Sequence, residues 1–103
     1  QKYFKNSVRL ASMIETEFEA NGRKSDGVLQ RNEKGIWVLQ ATNMPAVLIE
    51  TGFITNKEEE DYLNSEKGQN EISNAIVKAI VDFKNLLDNQ RNAAEISNAK
   101  AGK

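Results

Sequence analysis

The stretch from Met44 to Asn56, which reads MPAVLIETGFITN, carries the strongest structural signal in this chain. Four apolar residues, Ala46 to Ile49, lead directly into Glu50, and Gly52 and Asn56 then turn the chain into an acidic helix start. An apolar run that is bounded by turn residues is typical of a buried strand. A buried strand that ends in a carboxylate is a common way to place a catalytic acid or base in an α/β protein.

The residues before this strand predict a mixed sheet. Residues 36–39 predict a second strand, entered from a turn over residues 32–35, and residues 27–30 predict a short extended piece. Only about six residues separate Leu39 from Ala46, whereas a parallel crossover needs a dozen or more, so neighbouring strands here would be antiparallel. The predicted fold class is therefore α/β, with a mixed sheet flanked by helices. The strands are too few to complete a sheet, so the fold is expected to be the second half of a larger domain.

Three helices are predicted around this sheet. Residues 3–21 carry an apolar stripe and stop at Asn21-Gly22, because glycine accepts the left-handed conformation cheaply. A second helix begins after Asn56, with Glu59 placed as a capping-box acid. The last helix covers residues 70–87, and its buried stripe consists of Ile72, Ile76, Ala79, Ile80, Phe83 and Leu87, widened by Val77 and Val81. We expect residues 1–88 to belong to this domain and residues 89–103 to form a frayed helix extension, a flexible tail or a linker.

Composition excludes several kinds of chemistry. The net charge of −1 indicates neither a nucleic-acid partner nor an anionic membrane surface, and no apolar run approaches the roughly 20 residues of a membrane span. The chain has no cysteine and no histidine, so it holds no disulfide, no histidine-based triad and no imidazole zinc site of its own. Gln1 is not a natural start, so we expect a mature product or an excised piece. Catalysis must use carboxylates, or ligands from outside the segment.

The chain resembles a known family. The segments from Gly35 to Leu39 and from Met44 to Asn56 are similar to the C-terminal half of the zinc-dependent N-acetylmuramoyl-L-alanine amidases of type 3, which are bacterial cell-wall hydrolases. Residues 6–11, the pair Gly27-Val28 and the last helix resemble the same family in the same order. Gln40 stands where that family often has arginine. The resemblance covers roughly residues 3–87.

The resemblance implies a function as well as a fold, with residues 1–88 as the C-terminal part of a larger single catalytic domain. It implies hydrolysis of the amide between N-acetylmuramic acid and L-alanine of the stem peptide in peptidoglycan, in the periplasm or outside the cell. Glu50 matches the family's catalytic glutamate and would be the general base on a zinc-bound water. The zinc ligands, two histidines and a glutamate, would lie in an N-terminal half, so this segment alone should be inactive. Partners would be peptidoglycan and, for some members, an activator protein.

Each singled-out residue also has a plainer interpretation. From spacing alone, Glu50 fits a strand-end carboxylate that caps a helix or pairs with a lysine. Trp37 and Phe53 fit core residues better than substrate platforms, and Arg23 and Lys24 fit solvated charges better than contacts to an anionic glycopeptide. The acids at 58–61 fit a solvated helix start better than a metal patch. For the whole chain, the alternatives are a non-catalytic cell-wall-binding or regulatory module of the same fold and, more weakly, a hydrolase of another peptide.

Overall fold

The computed structural model describes residues 2–30 and 37–102 of the 103-residue chain, and this described part forms four helices. They are α1 (Phe4–Ala20), α2 (Trp37–Ala41), α3 (Lys57–Asn64) and α4 (Glu66–Ala101). No strand occurs within these two described ranges. The predicted turn over residues 32–35 and the first residue of the predicted second strand, Ile36, lie outside the described residues.

The predicted α/β fold with a mixed sheet is wrong for the described residues. Residues 37–39, expected in a strand, belong to α2. Residues 27–30 and 46–50 are outside any helix, but they pair with no other backbone in the described ranges. A strand exists only where a neighbouring backbone completes its hydrogen bonds. Near the strongest predicted strand, the Ala46 and Phe53 N–H groups instead donate to side chains.

Packing of α1 against α4 forms the core. The two helices run antiparallel, because Glu17 meets Lys78 at 3.3 Å while Asn21, further along α1, donates at 3.3 Å to the backbone carbonyl of Glu71, which lies earlier on α4. The buried hydrophobic residues are Ile14, Ile72, Ala75, Ala79 and Phe83. All of them except Ala75 belong to the predicted apolar stripes. Each amphipathic helix thus buries one face against the other.

The side of α4 that faces away from α1 is covered by no other described helix. Val77 and Val81, predicted to widen the buried stripe, are 58% and 48% exposed, and Ile80, predicted within that stripe, is 49% exposed, so these predictions are wrong. The reason is that α1 and α3 are the described helices that pack against α4, and they cover one face of it. No helix among the described residues is long and apolar enough to cross a membrane.

Helix α4 is longer at both ends than its sequence pattern predicts. It begins after Ser65, whose hydroxyl accepts the N–H of Gly68 at 2.9 Å, which is N-cap geometry. It continues for 36 residues, or about 54 Å, and all of residues 91–101 are exposed. Ion pairs one turn apart, Lys78–Asp82 and Lys84–Asp88, line its surface. The flexibility of residues 89–103 stays a prediction.

Helix α1 ends in the way the sequence predicts. Asn21 is the C-cap, and Gly22 follows with a φ of +81°. The Gly22 N–H donates to the Glu19 carbonyl at 2.9 Å, and the Arg23 N–H reaches back to the Phe18 carbonyl at 3.1 Å. This pair of bonds is a Schellman motif, which needs a left-handed residue at its centre. It fixes the backbone of Arg23 relative to α1.

The left-handed turn at Gly22 predicts a specific stability difference. Gly22→Ala should lower the free energy of unfolding by about 1 kcal/mol, because an L side chain is strained at this φ. An added Cβ would meet nothing within 4 Å, so crowding makes no contribution. Gly102 also follows a helix but has a φ of −79°, so Gly102→Ala is the matched control and should cause no loss. Urea denaturation followed by circular dichroism measures both changes. Equal stabilities of the two variants would contradict the assigned turn.

Candidate functional site

The predicted catalytic carboxylate lies on residues 45–53, here called the Glu50 segment, which crosses from α2 to the start of α3. Its first anchor is the Ser7 hydroxyl on α1. That hydroxyl donates to the Tyr3 carbonyl at 3.0 Å and accepts the Ala46 N–H at 3.0 Å. One hydroxyl can do both because it carries one proton and two lone pairs. The start of the segment is therefore tied to the first turns of α1.

The second anchor is Arg23, just beyond the other end of α1. Its guanidinium Nη2 donates to the carbonyl oxygen of Thr51, the residue directly after Glu50. From Ser7 to Ala20, α1 rises about 20 Å, and the five residue-to-residue steps from Ala46 to Thr51 span at most about 18 Å. The two lengths match, so the Glu50 segment runs alongside α1 in the same direction.

The Arg23 guanidinium rests on an aromatic ring. Its central carbon is 4.6 Å from the centre of the Tyr62 ring on α3, which is cation–π geometry. The Tyr62 hydroxyl donates to the Glu71 carboxylate on α4 at 2.6 Å. Through these contacts Arg23, Tyr62 and Glu71 link the end of α1, α3 and α4 to the Glu50 segment.

The environment of Tyr62 changes its acidity. Partial burial raises the pKa of its hydroxyl above 10.0, and the hydrogen bond to the Glu71 carboxylate raises the pKa further. The Arg23 cation acts in the opposite direction and lowers the pKa, but by less. The neutral, hydrogen-bonding form of Tyr62 is therefore the stable form in the folded protein.

Glu59 on α3 holds the end of the segment. Its carboxylate accepts the Phe53 N–H at 3.1 Å, and its own N–H donates to the Asn56 side chain at 3.1 Å. Asn56 is thus the predicted N-cap of α3, but the Glu59 carboxylate reaches Phe53 rather than closing a capping box on the Asn56 N–H. A Cβ at Gly52 would lie 3.2 Å from Arg23 Nη2, so glycine leaves room for the guanidinium.

Glu50 itself is exposed and lies at the wall of a groove. The groove has a volume of about 1240 Å³ and runs between α1, residues 23–30 and the Glu50 segment. Its walls also include apolar residues such as Val8, Leu48 and Ile49. The groove is large enough for a chain-like substrate, and Glu50 is the acid that the Glu50 segment brings to it.

The residues present do not make a zinc site by themselves. The sequence has no histidine or cysteine, which are the usual zinc ligands besides carboxylates. Within residues 2–30 and 37–102, no group of three or more acidic side chains is arranged to hold a metal ion. The acids at 58–60 lie in the first turn of α3, where they complement the helix dipole.

Several predicted roles change in the structure. Trp37 and Phe53, predicted as core residues, are 77% and 61% exposed, because α2 and the Glu50 segment have no described element packed over them. Arg23, predicted as a solvated charge, is half-buried against Tyr62 and Thr51, whereas Lys24 is exposed. Gln40 lies on α2 at the groove.

The sequence interpretation missed Ser7, Tyr62 and Glu71. Their contacts to the Glu50 segment and to Arg23 join residues far apart in the chain, and no local pattern marks such pairs. One signal was present for Arg23. A residue directly after an Asn-Gly helix stop takes the final position of a Schellman motif, and its backbone is then fixed by α1.

The chain belongs to the N-acetylmuramoyl-L-alanine amidase family, whose sequence pattern it matches over residues 1–82. This membership confirms the resemblance carried by the segment from Met44 to Asn56. It covers α1, α2, the Glu50 segment, α3 and α4 as far as Asp82.

Curated relatives support the same family. A putative N-acetylmuramoyl-L-alanine amidase of Buchnera aphidicola is 46% identical over 63 residues, 59% of this chain and 27% of that protein. The uncharacterized protein YqiI of Bacillus subtilis is 38% identical over 78 residues, 76% of this chain and 37% of that protein. The N-acetylmuramoyl-L-alanine amidase AmiA of Escherichia coli is 39% identical over 54 residues, 52% of this chain and 19% of that protein. This chain therefore spans well under half the length of these relatives. No solved structure matches it significantly.

The acidity of Tyr62 gives a pH-dependent prediction. Titration of tyrosinate absorbance in the folded protein, compared with Tyr62→Phe, should show one hydroxyl that ionises above pH 10.0. Because the folded state binds this proton more tightly than the unfolded state, its contribution to stability is complete below pH 10 and is lost as the pH rises through the folded pKa. Tyr62→Phe should therefore show a smaller fall in unfolding free energy above pH 10. A hydroxyl that ionises at or below pH 10 would contradict the packing of Tyr62.

Proposed function

We propose that this chain is the C-terminal half of a peptidoglycan amidase and that Glu50 is its general base. The bond to be cleaved is the amide between N-acetylmuramic acid and the L-alanine of the stem peptide. The single observation that carries the proposal is the placement of Glu50, exposed at the groove wall, on a segment that belongs to the matched family region. The chain covers only part of its relatives, so the activity is that of the longer protein.

Hydrolysis of this amide needs a proton acceptor. Water adds to the carbonyl carbon, and Glu50 accepts the proton that the attacking water loses. The C–N bond then breaks, and Glu50 returns the proton to the leaving amine of L-alanine. General acid–base help of this kind contributes roughly 10²- to 10⁴-fold in rate. An exposed carboxylate on an anchored segment is suited to it, because both water and the stem peptide can reach it.

Zinc dependence is a second part of the proposal. The family is generally zinc-dependent, and residues of this chain do not complete a zinc site. We therefore infer that the zinc ligands lie outside residues 1–103 and that the segment alone does not turn over substrate. An amidase of the cell wall works in the periplasm or outside the cell, where an activator protein is a further partner.

Replacement of Glu50 tests the catalytic role. Glu50→Gln keeps the size of the side chain but removes its basicity, so stem-peptide release should fall by about 10²- to 10⁴-fold. The variant is made in the longer protein that carries this chain, and release from purified peptidoglycan sacculi is measured by mass spectrometry. Glu58→Gln is the matched control, since Glu58 is an exposed acid in the first turn of α3, and it should retain wild-type release.

Two further measurements separate the rival interpretations. Zinc content and co-sedimentation with sacculi should be the same in wild type and Glu50→Gln, because Glu50 acts on the proton rather than on binding. Wild-type turnover by Glu50→Gln would remove Glu50 from the mechanism. A wild-type protein that binds sacculi but releases no stem peptide would identify a cell-wall-binding module instead.

A further inference from the structure

Arg23 contacts the Glu50 segment at the residue that directly follows Glu50. Its guanidinium donates to the carbonyl of Thr51, one residue beyond Glu50. We propose that Arg23 is a positioning residue, which holds Thr51 so that the Glu50 carboxylate stays in place relative to the scissile amide. This inference rests on the proposed function, in which Glu50 is the general base.

The Glu50 segment needs side-chain anchors, because it is neither a helix nor a paired strand. The Ser7 anchor lies four residues before Glu50, at Ala46, and the Glu59 anchor lies three residues after it, at Phe53. Between these two points Arg23 holds the backbone carbonyl of Thr51, the residue directly after Glu50. A shift of about 1 Å in a catalytic group can cost about 10²-fold in rate. A contact to the adjacent residue therefore restrains the position of Glu50.

Arg23 suits this role because it is itself fixed at several points. The Schellman motif ties its backbone N–H to the Phe18 carbonyl at 3.1 Å. Its guanidinium lies on the Tyr62 ring, and Glu71 holds the Tyr62 hydroxyl at 2.6 Å. Glu71 belongs to α4, the helix that forms most of the core. Arg23 thus connects the Thr51 carbonyl to the helices that form the core and restrains its position relative to them.

The geometry selects arginine over lysine. A guanidinium is planar, so its face can stack on Tyr62 while its edge donates to Thr51. An ammonium on a flexible stem cannot present a flat face and an in-plane donor together. The space for the guanidinium is also specific, since a Cβ at Gly52 would lie 3.2 Å from Nη2. We therefore expect Arg23→Lys to keep the charge but lose much of the positional restraint.

Arg91 on α4 provides the matched control. It carries the same side chain as Arg23, but it is exposed and is not among the residues that line the groove. Arg23→Met and Arg91→Met therefore remove the same guanidinium and the same positive charge. A role of Arg23 in binding an anionic substrate would raise KM, whereas positioning of Glu50 would lower kcat. These two effects separate positioning from recognition.

Kinetics of the longer protein test the proposal. We expect Arg23→Met to lower kcat for stem-peptide release by about 10- to 100-fold with KM within about twofold of wild type. Arg23→Lys should fall between wild type and Arg23→Met, and Arg91→Met should stay within about twofold of wild type in both constants. All rates are expressed per zinc-loaded folded molecule, so a loss of folded protein does not count as a loss of kcat. Wild-type kcat in both Arg23 variants, or a change confined to KM, would overturn the positioning role.

Hydrogen exchange provides a readout that does not depend on activity. Arg23→Met and, if it folds poorly, Arg23→Lys should show faster amide exchange in the Glu50 segment, while exchange in the core of α1 and α4 stays as in wild type. Equal exchange in the segment would overturn the proposal. Glu50→Gln is measured in parallel. If that variant retains activity, the proposed general base is wrong. If it is inactive but both Arg23 variants keep wild-type kcat, only the positioning role is wrong.

Discussion

The antiparallel contact between α1 and α4 is the interaction on which the position of the candidate site depends. Ile14, Ile72 and Phe83 supply the large buried side chains of this contact, and each is worth about 1.5–3 kcal/mol when buried. Ala75 and Ala79 are buried beside them, where small side chains allow close packing. Once α1 is held on α4, both of its ends become fixed points. Ser7 and Arg23, near those ends, then hold the two ends of the stretch from Ala46 to Thr51.

The helices are the part of the fold that local sequence can predict. The apolar stripe and the Asn21-Gly22 stop gave the ends of α1 nearly correctly, and Asn56 was correctly predicted to begin α3. These signals work because capping and helical spacing depend on residues within a few positions. The length of α4 was underestimated, because residues beyond Leu87 lack an apolar stripe. Ion pairs one turn apart and the cap at Ser65 support the helix instead.

Strands could not be predicted in the same way. The run from Ala46 to Glu50 has the composition of a buried strand, but a strand also needs a partner backbone, and local composition does not supply one. Residues 37–39 show the same limit, since an apolar run of this length fits a short helix equally well, and they form α2. The candidate site shows the same limit. Glu50 was predicted from its sequence context and its role stays a prediction, whereas the bond from Arg23 to Thr51 spans 28 positions and is visible only in three dimensions.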